Sequence, residues 1–177
     1  MHKVMLAVAA LVASFSAVAN AQQQQWIEHR SPELGFSAHF PQAPQTASER
    51  RQSNDKKVSY TANTFQAAAT DGREFFIAVF EYPSGILPRN PDANYWSARV
   101  RDFANGSVTS VVREGPITLA GQGGVEAVTT SGKGASYLLD VILRGNRLYT
   151  MVSGGPDGHE SSPDAIRFRD SLRLLGP

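Results

Sequence analysis

Two segments of this chain are apolar on both sides, and a strand of that kind needs cover on both sides. In residues 74–82, Phe75, Ile77 and Val79 point one way, while Phe76, Ala78, Phe80 and Tyr82 point the other. Residues 135–144 repeat the pattern, with Tyr137, Leu139, Val141 and Leu143 opposite Leu138 and Ile142. Side chains alternate along a strand, so a sheet with one wet face would leave half of these residues in water. The pattern demands one layer above the sheet and another beneath it.

Two helical segments are available as those layers. Asn90-Pro91-Asp92 is a start signal: a cap residue, a proline at the first helical position and an acid in the first turn. Ala93, Trp96, Val100 and Phe103 follow at helical spacing, with Arg101, Asp102 and Asn105 opposite, Arg99 at the edge of the stripe and Gly106 as the stop. Ser162-Pro163-Asp164 repeats the start, and its stripe is Ala165, Phe168 and Leu172, closed by Gly176-Pro177.

Further strands are expected near residues 26–30, 35–40, 58–65, 108–114, 117–120, 124–131 and 147–154. Phe36, Ala38 and Phe40 alternate with Ser37 and His39, and Pro41 and Pro44 end that strand. Residues 46–56 read as a charged surface loop. Turn signals at Gly121-Gln122-Gly123-Gly124, Gly132-Lys133-Gly134 and Gly145-Asn146 join consecutive strands tightly, which makes them antiparallel. The expected fold is α+β: a central antiparallel sheet with helices on both faces, an α/β/α sandwich.

The N-terminus reads as an export signal. A basic start, Met1-His2-Lys3, precedes an apolar run over residues 4–13, and small residues Ala19 and Ala21 occupy the two positions that signal peptidase reads. A spanning helix wants about 20 strongly apolar residues; this run is shorter, rich in alanine and followed by four glutamines. Residues 1–21 are therefore expected to be a signal peptide, 22–25 a polar leader and 26–177 a single domain, exported to a bacterial periplasm or medium with no membrane span after cleavage. With no cysteine anywhere in the chain, there is no lipid attachment at the junction and no disulfide framework, so the core alone must hold the fold.

Removing 21 of the 177 residues leaves 156, the size of one domain. The same cut removes Lys3, leaving 16 Lys and Arg against 16 Asp and Glu. A neutral chain argues against a nucleic-acid partner, for which a basic face supplies most of the affinity. Asn105-Gly106-Ser107 fits the glycosylation acceptor pattern but reads as a helix end.

The segment Ser31-Pro32-Glu33-Leu34-Gly35-Phe36-Ser37-Ala38-His39-Phe40-Pro41 resembles the first hairpin of PsbP-like and Mog-like domains. So does the ending, where Gly145-Asn146-Arg147-Leu148-Tyr149 leads on to the helix after Ser162. In that family the last helix carries Phe-x-x-Ser-Phe; Phe168 and Ser171 match, and Leu172 replaces the second aromatic. The resemblance implies a sheet with helices on both faces and a non-enzymatic theme: accessory subunits of photosystem II, Ran-binding proteins and exported bacterial proteins. Fold alone does not confer function, and no partner-binding motif carries over residue by residue.

No constellation for catalysis, cofactor or metal stands out. Gly132-Lys133-Gly134-Ala135-Ser136 lacks the spacing of a phosphate loop and leads into a strand. The loop 154–159 precedes a helix start, but Ser162 caps it and Asp164 meets its dipole. His29, His39 and His159 have no metal-site spacing, and there is no cysteine nucleophile or Gly-x-Ser-x-Gly elbow. Asp140 is an acid within a strand otherwise apolar on both faces, and Arg144 or Arg147 is its expected partner.

The loop Pro83-Ser84-Gly85-Ile86-Leu87-Pro88-Arg89-Asn90 carries two adjacent large aliphatics on a proline-braced tip. Ile86 and Leu87 are the expected contact surface for a protein partner; the alternative is that they tuck under the first helix as a staple. The resulting expectation is a non-catalytic binding or assembly-accessory protein. The runner-up is a small-molecule or lipid module with a pocket between helix and sheet, and an enzyme comes third.

Overall fold

The computed structural model describes residues 25–53 and 57–176. The expected signal peptide, with Ala19 and Ala21, and the polar leader except Gln25 lie outside the described residues.

The elements run β1 (Ile27–Ser31), β2 (Phe36–Phe40), β3 (Gln45–Gln52), β4 (Ser59–Ala68), β5 (Glu74–Glu81), α1 (Ala93–Ser107), β6 (Ser110–Leu119), β7 (Gln122–Thr130), β8 (Ala135–Arg144) and β9 (Arg147–Pro156). A single 3-10 turn (His159–Ser161), α2 (Pro163–Asp170) and β10 (Arg173–Leu174) complete the chain. Seven strands form one sheet in the order β3-β4-β5-β9-β8-β7-β6, each neighbour antiparallel. A second, small sheet has the order β1-β2-β10.

Both faces of the large sheet are covered, as the double-sided strands require. On one face Phe75, Ile77, Val79, Tyr149 and Met151 meet Phe36, Ala38 and Phe40 of the small sheet and Phe168 of α2. On the other, Val125, Ala127, Leu139, Val141 and Leu148 meet Val100 of α1, flanked by Trp96 and Phe103. Full burial of each such large side chain contributes about 1.5–3 kcal/mol, so the two layers hold the domain without disulfides. One layer is α2 together with a sheet, because the apolar face of the β1–β2 hairpin packs flat on the large sheet instead of extending it.

Several local expectations are corrected. Most of the expected loop 46–56 is instead strand: residues 45–52 form edge strand β3, with every residue exposed; apolar alternation cannot report a strand whose side chains all face water. Residues 108–114 and 117–120 are one strand, β6, running through Pro116. On an edge strand the missing amide costs no ladder bond.

The cap of α1 is Asp92, not Asn90, and its carboxylate accepts the Tyr95 amide at 2.8 Å. The stop is Val108, at φ 55, not Gly106. Within the expected glycine turn at 121–124 only Gly121 turns, paired with Ala120 (φ 77 and 49), while residues 122–124 already belong to β7. The start of α2 is as read: Pro163 opens it, and the Ser162 hydroxyl accepts the Ala165 amide at 3.2 Å.

Candidate functional site

Helix α1 is narrower than the sheet it covers. It lies over β6, β7 and β8 and leaves a cleft along each flank. The larger, about 760 Å³, runs between the first turns of α1 and the β6–β7 hairpin. Gly123 stands on its sheet side, where a Cβ would meet nothing within 4 Å, and so leaves it roomy. Trp96 forms an apolar wall, exposed Arg89 and Glu114 bring opposite charges, and the Ser97 hydroxyl donates to the Glu114 carboxylate.

The second groove, about 320 Å³, lies on the β5 and β9 side of α1. Phe76, Phe80 and Leu148 floor it, and Arg51 and Arg99 stand at its edges. Tyr60 and Tyr82 stack there, 4.9 Å between ring centroids and 24° between planes. Apolar floors with a few polar groups are the usual make-up of binding clefts.

The two expected contact residues part company. Ile86 is 46% exposed, with its amide held by the Pro83 carbonyl at 3.3 Å. Leu87 turns inward and packs with the cluster beneath α1. Just after them, Arg89, Asn90 and Pro91 line the larger cleft, so the exposed Ile86 sits on the loop that leads into it. The staple alternative therefore holds for Leu87 and not for Ile86; which of the two turns inward was not legible, because adjacent loop residues have no fixed period.

Asp140 is 2% exposed on the face toward α2, and its Oδ1 has no hydrogen-bond partner. The expected partners do not reach it. Arg144 lies four residues along the same strand, about 13 Å away, and donates to the carbonyls of Leu175 (3.3 Å) and Gly176. Arg147 donates to the Glu33 carbonyl and to Glu81. Directly across the β7–β8 ladder stands Glu126, which accepts from Arg113 of β6 at 2.6 Å and Arg169 of α2 at 3.0 Å. Burial first, then the Glu126 charge, pushes the Asp140 carboxyl up to about 7.

The three histidines among the described residues are dispersed. His29 packs among the rings of Phe36, Phe40 and Phe65, and His39 is exposed. His159 is buried, with Nδ1 3.2 Å from the Ser162 hydroxyl, and its pKa is lowered chiefly by burial. Among the described residues no three His, Cys, Asp or Glu side chains converge as metal ligands. Gly132-Lys133-Gly134 is the turn between β7 and β8.

An antiparallel sheet with one helix layer above, and a helix with a small sheet below, is a PsbP-like α+β fold. The solution structure of cyanobacterial PsbP (CyanoP) from Synechocystis sp. PCC 6803 is similar at a TM-score of 0.56 and 8% identity, covering 92% of this chain and 100% of that one. At that identity the likeness shows the fold. No family model matches this chain, and no curated protein matches it in sequence. Among the described residues no helix is long and apolar enough to cross a membrane.

Proposed function

We propose that this is an exported, non-catalytic binding or assembly-accessory protein that engages a protein partner through the loop carrying Ile86. The observation that carries the reading is the exposure of Ile86 on a loop whose other aliphatic, Leu87, anchors it to the α1 layer. A large apolar side chain held in water by an anchored loop beside a cleft is suited to insertion into a partner. The PsbP-like fold is compatible with this role, and the pattern of residues 1–21, with Ala19 and Ala21, supports export. No cofactor enters the proposal.

A photo-crosslinker at position 86, used in the native envelope or medium, tests it. One protein captured in stoichiometric yield, and lost when Ile86 is left intact and the crosslinker is moved to exposed Thr70, supports the proposal. Silence at position 86 and at other surface positions argues against it. Recovery of a mature chain beginning at Gln22 tests the export part.

A second reading rests on the cleft of about 760 Å³ between α1 and the sheet, which is the geometry of a small-molecule or lipid module. A ligand screen by thermal shift distinguishes the two, since a ligand held in this cleft raises Tm with the logarithm of its free concentration above Kd.

A further inference from the structure

We propose that Asp140, paired with Glu126 beneath Arg169, is a proton-operated clasp that sets how firmly α2 is seated on the large sheet. Four charged groups face Asp140: Glu126 from β7, Arg113 from β6, and Arg169 and Asp170 from α2. From β9 the residue opposite is Met151, which does not titrate.

Arg113 and Arg169 bridge the two oxygens of Glu126, and Arg169 also holds Asp170 at 2.8 Å. Two cations are thereby matched by two anions while Asp140 carries its proton. Ionised Asp140 adds a third anion against the same two cations, in a site where it is 2% exposed and its Oδ1 has no hydrogen-bond partner. An unmatched buried charge is costly.

Relief comes from water, and α2 is the element whose movement admits it. The helix has only eight residues, and Arg169, which is ion-paired to Glu126, belongs to it. Loss of the Asp140 proton therefore loosens α2, and its return seats the helix again. Buried Phe168 and Ala165 and the ion pair between Arg73 and Asp164 keep the helix attached in both states, so the change is local and the domain stays folded.

Amide hydrogen exchange on the purified protein tests the clasp, with β9 amides as an internal reference. Between about pH 5.5 and about pH 8.5, the protection factors of α2 should fall about tenfold while staying below those of β9 at both pH values, and Asp140→Asn holds them constant. Equal α2 protection at both pH values, or the same fall in Asp140→Asn, would overturn the proposal. A second measurement needs no substitution at Asp140. The carboxyl carbon of Asp140, followed by NMR in the unmodified protein, should titrate near neutrality, with a lower midpoint in Glu126→Gln. A midpoint below about 5, in the range of an ordinary carboxylate, would equally overturn it.

Discussion

The phenol of Tyr149 donates a 2.8 Å hydrogen bond to the carbonyl of Leu34, a residue 115 positions earlier in the chain. It ties β9, in the middle of the large sheet, to the turn between β1 and β2. Both residues are buried, so no water replaces the donor. Tyr149→Phe is expected to cost about 1–2 kcal/mol, read as a lower urea midpoint with an unchanged slope. An unchanged midpoint would show that the small sheet is held by its apolar contacts alone.

Phe168 fixes α2 to the same layer. Its ring is 5.2 Å from those of Phe40 and Phe75 and 6.4 Å from that of Trp26, centroid to centroid. Phe168→Ala leaves a cavity where helix, small sheet and large sheet meet, and is expected to cost about 3–5 kcal/mol in chemical denaturation. A loss below about 1 kcal/mol would mean that the site collapses around the gap.

Ile86 and Leu87 should separate experimentally. Ile86→Ser is expected to stay within about 0.5 kcal/mol of the parent stability, because the side chain is already 46% exposed. Leu87→Ser removes a contact beneath α1 and should cost about 1–2 kcal/mol. Equal losses for the two would show that the loop acts as a single staple.

Val108 ends α1 at φ 55 and ψ 49 and is 85% exposed. A β-branched residue in the left-handed region is strained, and exposure this high means that no packing repays it. Val108→Gly should raise stability by about 1 kcal/mol, measured by thermal or urea unfolding. A loss would mean that the valine side chain restrains the junction to β6.

The pH dependence has a definite sign. Asp140 sits at about 7 in the folded protein and at about 3.9 in the unfolded chain. Between those values the folded state binds more protons than the unfolded state, so stability falls as pH rises through the window and levels off above it. At about 1.4 kcal/mol per pH unit, the full loss is on the order of 4 kcal/mol. Asp140→Asn should flatten this part of the profile and exceed the parent stability at about pH 8, as urea unfolding across pH would show.

What the sequence determined by itself was periodicity and punctuation. Phe75 to Tyr82 and Tyr137 to Leu143 announced a sheet covered twice, because alternation leaves an apolar side chain on each face of a strand. Ser162-Pro163 announced α2 through local capping chemistry. The Phe168 and Ser171 pair was legible as a motif, and the structure supplies its reason: the Ser171 hydroxyl accepts the His39 amide at 2.9 Å and donates to the Phe168 carbonyl at 2.7 Å, joining β2 to the end of α2.

Only the tertiary structure decided the rest. Strand β3 is held by backbone pairing to β4 and leaves no apolar pattern to read. The partition of Ile86 outward and Leu87 inward depends on where α1 lies. The surroundings of Asp140 were beyond sequence reasoning for the same cause: Glu126, Arg113 and Arg169 come from three other elements and converge only when the sheet register and the seat of α2 are set. Patterns within one element follow from local geometry. A charge cluster assembled from several elements follows from packing, and packing is settled by the whole chain at once.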